Sequence, residues 1–252
     1  MPAHVESRHL EVEPDEPVGG RGVSSHAATL GHVAATDRYA PGVRRQQVLV
    51  GPRVELRALK SSDWDQWREV RVRSRDWLEP WEPHAEPGAA DPVTDAEAFK
   101  ARCSVWERQR HFDAAYGFGI FLRKGRFVGE VSLGSLQRGP FQSANVGYWI
   151  DESHAGLGLM PEAVALVIRF AFEDLNLHRV EAAIVPRNKA SRRVAEKLGL
   201  REEGTSDRLL QIRGVWEDHV RYAITTEDWA VRKQEIESDF LTLMHSGDAQ
   251  GR

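Results

Sequence analysis

The chain has 252 residues, a net charge of −4 and an apolar fraction of 41%, which allows one sizeable hydrophobic core or two small ones. The mild acidity gives no support for nucleic-acid binding, and no apolar run approaches the roughly 20 residues of a membrane span. The single cysteine, Cys103, excludes an internal disulfide; with no secretory-signal order at the N-terminus, a cytoplasmic protein is expected.

Residues 1 to 45 are rich in Gly, Ala, His, Pro and charge, and acids and prolines crowd Glu11–Pro17. Such a segment buries too little apolar surface to offset its ordering entropy. A disordered tail is expected, with a short ordered piece near Tyr39. Val48–Val50 and Val54–Arg57 read as a first strand broken near Gly51-Pro52. Ser62 offers a helix N-cap with Asp65 three positions on. Trp64, Trp67 and Val70 follow at helical spacing, and Pro80 and Pro83 stop that helix. A second helix is expected over Thr94–Gln109, with Cys103 as an ordinary packing residue.

Ala115–Leu122 and Phe127–Leu133 predict a hairpin across Lys124-Gly125, and Ala144–Asp151 the next strand. A glycine-containing loop then feeds a helix with Pro161 at its first position, whose buried face is Val164, Val167, Ile168, Ala171 and Phe172. Val180–Val185 is a buried strand, and a helix over Lys189–Leu198 ends on Gly199. Leu209–Arg213 and Val215–Thr225 close as a hairpin, and Trp229, Ile236, Phe240 and Leu243 mark one stripe of a C-terminal helix. Hairpins with one strand–helix–strand unit between them indicate an α+β sheet domain. The expected organisation is a tail over 1–45, a domain over 46–229, and an amphipathic helix and tail over 230–252.

Two distant stretches carry the chemistry. Asn145–Glu162 is a strand, a loop and a helix start, and that junction leaves backbone N–H groups free at the positive end of a helix dipole, as a pyrophosphate requires. Pro186–Ser191 sets an amide, Asn188, and a hydroxyl, Ser191, three residues apart at another helix start. Gly156-Leu-Gly158 is not a dinucleotide fingerprint, because its third glycine would fall at Pro161. No Gly-Lys-Ser/Thr follows, which excludes a P-loop.

Leu78–Pro83, Gln137–Phe141, Gly147–Ile150, Ala155–Met160, Asn188-x-x-Ser191 and Trp216–His219 occur in this order. Through them, residues 48 to 229 resemble the GNAT superfamily of acyl-CoA N-acyltransferases, and within it the RimJ/RimL ribosomal-protein N-terminal acetyltransferases. The resemblance implies a GNAT fold: a mixed, mostly antiparallel central sheet flanked by helices and splayed at the cofactor strand. It implies that Tyr148, Trp149 and Ile150 pair with the pantetheine arm of acetyl-CoA, and that Gly156, Leu157, Gly158, Leu159 and Met160 hold the pyrophosphate. Ala155 stands where the superfamily has Gln or Arg, and Met160 where it has Gly or Ala. The first departure removes a side-chain contact and leaves the backbone cradle; the second recurs in the RimJ group.

The same resemblance makes Asn188 a pantetheine ligand and Ser191 the hydroxyl near the CoA sulfur. Asn188 alone also reads as a simple helix cap. Glu130 and the Asp218/His219 pair are the candidate proton acceptors, while Trp77, Trp81 and Glu82 are the expected acceptor wall. The expected activity is acetyl transfer, in a ternary complex, to the N-terminal α-amine of a protein, a ribosomal protein among the candidates. At pH 7.4 roughly a quarter of α-amines are neutral against about one lysine in a thousand, so an α-amine needs no strong base. Alternatives are acetylation of an antibiotic, peptide toxin or aminoacyl nucleotide, and a non-catalytic CoA-binding module. No metal, membrane or direct nucleic-acid partner is expected, and a homodimer is possible.

Overall fold

The computed structural model describes residues 47–84 and 88–242. The expected tail over 1–45, the piece near Tyr39, and Leu243 lie outside the described residues. Leu49–Val50 (β1) turns back on Val54–Arg57 (β2) through Gly51, whose N–H donates to the Val54 carbonyl at 2.9 Å. A 3-10 turn over Ser61–Asp63 leads into Trp64–Arg73 (α1). Asp63, rather than the expected Ser62, organises this entry. Its carboxylate accepts the Lys60 N–H at 2.7 Å and pairs with Arg57 at 2.8 Å, a partner that lies outside the capping motif. Arg75–Leu78 (α2) ends before Pro80 and gives way to a 3-10 turn over Glu79–Trp81.

Ala96–His111 (α3) is capped by Asp95, whose side chain accepts the N–H groups of Glu97 and Ala98. Tyr116–Leu122 (β3), Phe127–Gln137 (β4) and Ser143–Ile150 (β5) form an antiparallel meander. Leu159–Arg169 (α4) crosses over to Arg179–Ile184 (β6), which pairs parallel to β5. Lys189–Lys197 (α5), Arg201–Ile212 (β7), Val215–Thr225 (β8) and Thr226–Ile236 (α6) complete the chain. The eight strands run in the order β1-β2-β3-β4-β5-β6-β8-β7. The resulting mixed sheet, antiparallel except at β5–β6, is the expected GNAT fold.

Helix α4 departs from the amphipathic reading. Every residue from Leu159 to Ile168 is buried, as in a helix enclosed on all sides. The sheet covers one side. The other side meets α6 and the turn after it, where Trp229 packs on Phe172, Lys233 pairs with Glu173 and Arg169 with Glu237. Helix α6 runs through the expected boundary at 229/230, and its Trp229 and Ile236 belong to the main core. Pro161 is the third helical residue rather than the first, where its missing N–H still costs no intrahelical bond.

A second, smaller cluster joins Trp67 and Val70 of α1, Phe99 of α3, and Phe121 and Phe127. It holds α1 and α3 against the sheet face opposite α4. Gly117 and Gly119 of β3 make the close approach possible, because a Cβ there would lie 2.6 Å from Trp106 and Leu59 respectively. Cys103 is half-buried at the edge of this cluster, and burial pushes its thiol up to about 11, so it carries little thiolate. Among the described residues no helix is long and apolar enough to cross a membrane.

Candidate functional site

Strands β5 and β6 pair only over Ser143–Asn145 and Arg179–Glu181 and then separate. Beyond that point β6 is held by β8 alone and β5 by β4 alone. The Asp151 N–H bonds the Val128 carbonyl at 2.8 Å, which together with the β4–β5 register turns the backbone of Gly147 and Trp149 toward β4. By alternation, Val146, Tyr148 and Ile150 present their N–H and carbonyl groups to the gap. Trp149, expected among the backbone ligands, therefore faces Glu130 across the ladder. Tyr148 and Ile150 face the opening.

The gap widens into a cavity of about 890 Å³, within the range of small-molecule sites. Trp77, Trp81, Glu82, Glu130, Tyr148, Trp149, Ile150, Gly156, Gly158, Leu159, Met160, Asn188 and Ser191 all line it. Leu157 does not: its side chain is exposed, and its carbonyl accepts from Arg53 at 2.8 Å. His219 does not either. It is buried on β8 opposite Ser206, with Nδ1 2.9 Å from the Glu217 carbonyl. Asp218 accepts the Arg208 N–H at 2.8 Å, which holds the irregular part of β7. The Asp218/His219 pair is thereby placed in the β7–β8 hairpin and away from the cavity.

The glycine loop owes its shape to a residue 104 positions upstream of Leu157. Arg53 donates to the carbonyls of Leu157 and Gly158 at 2.8 and 2.9 Å, and its Nε pairs with Glu162 at 2.8 Å. Glu162 is fully buried and also accepts the backbone N–H groups of Arg53 and Val54. With the carbonyls drawn to Arg53 and both Gly156 and Gly158 at φ 77°, the loop enters α4 left-handed, a geometry glycine adopts without strain. The first bond of the helix runs from the Glu162 N–H to the Gly158 carbonyl, so earlier N–H groups have no intrahelical acceptor. Nothing lies within 4 Å of a Cβ built on Gly156; the cradle is open.

Asn188 caps α5, with Oδ1 accepting the Ser191 N–H at 3.1 Å. The Ser191 carbonyl accepts from the Tyr148 hydroxyl at 2.9 Å, fixing α5 against β5. Burial pushes the Tyr148 phenol well above its usual range. Lys189, Arg193 and Lys197 line the same end of the cavity, a basic rim outside the sequence motifs, and Arg187 at the entry to α5 lines it beside Trp81. These residues recur around one face of α5 and its entry, which is the signal that would have found them.

The opposite end carries Asp76, Glu82, Glu130 and Arg102 on its wall. Glu82 takes a two-pronged pair from Arg71 at 2.6 and 2.7 Å. Glu130 accepts from Trp67 Nε1 and from Arg102, each at 2.5 Å. Arg71 also lies 5.0 Å from the Trp149 ring, and Arg187 lies 5.4 Å from Trp81. Asp151, at the end of β5, ties the two ends together. Burial alone would raise its carboxyl, but donors from Arg73, Ser153, His154 and Ser74 outweigh that and hold it far below the carboxylate range. The network fixes the junction of α1 and α2 to the start of the glycine loop. His154, which lines the cavity, is held by Nδ1 at 2.8 Å from Asp151.

Residues 53–201 match the family described as Acetyltransferase (GNAT) domain. The chain is 37% identical over 182 residues to the probable N-acetyltransferase YjcK of Bacillus subtilis, covering 72% of this chain and 98% of that protein. It is 32% identical over 170 residues to the ribosomal protein uS5-alanine N-acetyltransferase of Escherichia coli, covering 66% and 86% respectively. Among solved structures, Mycobacterium smegmatis RimJ in complex with CoA-disulfide superposes with a TM-score of 0.69 at 30% identity, over 79% of this chain and 95% of that one. The chain belongs to the GNAT acetyltransferase family and is an N-acetyltransferase.

Proposed function

We propose that this GNAT acetyltransferase uses acetyl-CoA to acetylate the N-terminal α-amine of a protein in the cytoplasm. The observation that carries the reading is the polarity of one cavity. Lys189, Arg193, Lys197 and an open helix N-terminus stand at one end, and Asp76, Glu82 and Glu130 stand among tryptophans at the other, two of them paired with Arg71 and Arg102. A polyanionic cosubstrate fits the first end and an amine the second. The Escherichia coli relative is named for an alanine of a ribosomal protein, and a ribosomal protein is the acceptor class we favour.

On this reading the pyrophosphate of acetyl-CoA rests on the N–H groups of Gly156 through Met160. Its pantetheine pairs with the gap-facing backbone of β5, assisted by Asn188. The neutral amine attacks the thioester carbonyl carbon; the C–N bond forms and the C–S bond breaks. Negative charge that builds on the thioester oxygen is met by a gap-facing backbone N–H, that of Ile150 being the best placed. The Ser191 hydroxyl then donates to the departing thiolate. The amine's second proton passes toward Glu130, whose carboxylate uses two of roughly four acceptor sites on Trp67 and Arg102. Trp77 and Trp81 wall the acceptor, while Glu82, taken up by Arg71, is not a free carboxylate.

The direct test is acetyl-CoA turnover, followed by thiol release, on a panel of peptides with free N-termini and on small amines. Faster turnover of peptides is expected. Turnover confined to small amines would replace this reading with small-molecule acetylation.

A further inference from the structure

Arg102 carries no motif and belongs to no family signature given above, yet it meets Glu130 inside the acceptor end of the cavity. Both side chains line that cavity, and both are largely buried, at 27% and 10% exposure. Glu130 projects from β4 on the face that carries α1 and α3. Its cross-strand neighbour Trp149 is on β5, so the pair sits where the β5–β6 gap opens toward the acceptor. Trp67 holds both partners: its Nε1 donates to Glu130, and the Arg102 guanidinium lies 5.5 Å from its ring. A buried ion pair of this kind contributes little net stability compared with apolar packing, so its placement calls for another reason.

The pair presents a donor and an acceptor side by side, 2.5 Å apart. An α-aminoacyl unit presents the complement. Its amine donates, and its carbonyl oxygen, attached through the same Cα, accepts about 3 Å away. A lysine ε-amine has only methylenes at that distance. The Arg102 guanidinium is also incompletely used, since Nη1 is shut off from solvent and has no acceptor among the described residues. The guanidinium is one rigid plane, so turning Nη1 toward the cavity also turns the Nη2 bonded to Glu130; a substrate carbonyl offsets that by satisfying a buried donor that is costly to leave orphaned.

We infer that Arg102 and Glu130 together recognise the α-aminoacyl unit of the acceptor, Glu130 taking the amine and Arg102 the carbonyl of the first residue. The inference rests on the α-amine reading and narrows it to acceptors with a carbonyl next to the reactive carbon. Peptide N-termini and aminoacyl esters or amides qualify; isolated amines do not. Arg102 acts here as a positioning and specificity residue, and its removal should act on acceptor binding rather than on acetyl-CoA.

The test uses the full chain with acetyl-CoA, an alanyl peptide, and the same peptide with its first carbonyl replaced by methylene. Preference is read as the peptide KM against the Ki of the reduced analogue, so differences between enzyme variants cancel the differing acceptor pKa. Arg102→Met should lower that preference at least tenfold through acceptor KM, with the acetyl-CoA Kd within twofold of wild type. Arg102→Lys keeps the charge beside Glu130 but loses the planar fork, and should lower the preference at least threefold. If Arg102→Met does not fold, the lysine variant decides. Equal losses on both ligands, or an unchanged preference in Arg102→Lys, would overturn the inference while leaving the α-amine reading standing. Absence of wild-type turnover on any α-amine would overturn both.

Discussion

At the α5 end of the cavity, inside a basic rim, backbone is presented: a loop with two left-handed glycines, the start of α4, and a strand edge released by β6. At the α1–α3 end the surface is side chains, with Arg71 on Glu82, Arg102 on Glu130, and tryptophans between them. A backbone surface presents fixed dipoles to a ligand common to a whole family. A surface of paired side chains can be changed one residue at a time without disturbing the sheet. The acetyl donor is therefore expected at the first end, and the acceptor's identity is expected to be set at the second.

The largest expected effect breaks the first end at its anchor. Glu162→Ala leaves the Arg53 guanidinium without its carboxylate and two backbone N–H groups without their acceptor. Arg53 is half exposed and water meets its guanidinium, but each backbone N–H left without its acceptor costs about 1–3 kcal/mol. Denaturant unfolding should show that loss, and calorimetry should show weakened acetyl-CoA binding as the loop carbonyls lose Arg53. A stable variant with unchanged affinity would mean that the loop holds its shape without this anchor.

The next effect probes the second end. Only a neutral amine attacks, so turnover should rise with pH around the α-amine value of about 7.7–8.0. At pH 7.4 the neutral fractions alone favour an α-amine over lysine by roughly two hundredfold. Two matched peptides make the comparison, one with a free N-terminus and one blocked there but carrying a free lysine. Equal or faster acetylation of the lysine peptide would remove the acceptor assignment from this wall.

A smaller change sharpens the account of the cradle. Gly156 has open space where a Cβ would go and a φ of 77°, so Gly156→Ala should cost roughly 1–2 kcal/mol through backbone conformation alone. The methyl would also stand in the anion cradle. Loss of acetyl-CoA affinity without the cosubstrate's phosphates being contacted is not expected, so 3′-dephospho-CoA and CoA should weaken alike, while a pantetheine fragment lacking the pyrophosphate should bind both proteins equally. A fragment that discriminates between them would put the pyrophosphate elsewhere.

The contrast between the two ends also explains what could be read from sequence. Gly156, Gly158, Asn188 and Ser191 lie in short local patterns, and local patterns fix turns and caps. The β5–β6 separation could be named only through family resemblance, since no residue in either strand announces where pairing stops. Arg53, Asp151 and Arg102 were missed for a common reason: each acts on a partner far along the chain, 109 positions away for Arg53 and Glu162 and 28 for Arg102 and Glu130. His219 shows the converse error. Its place in the Trp216–His219 motif suggested chemistry, but alternation along β8 buries it away from the cavity. Ser62 looked like a cap because the tertiary pair Arg57–Asp63 is invisible in a four-residue window.

The smallest expected effects separate two neighbours at the α5 end. Asn188 both caps its helix and lines the cavity, so Asn188→Ala should cost about 1 kcal/mol of stability and weaken acetyl-CoA binding. The Ser191 side chain lines the same cavity, but its N–H and carbonyl make the contacts that hold α5. Ser191→Ala keeps both of those backbone bonds, so stability and acetyl-CoA affinity should hardly move. What it removes is a hydroxyl needed only as the thiolate departs, and an interaction made only in the transition state lowers kcat without raising KM. Thermal unfolding, calorimetric titration and steady-state kinetics on the two variants decide the matter. A fall in kcat for Asn188→Ala with binding intact, or weak binding for Ser191→Ala with kcat intact, would exchange the two roles.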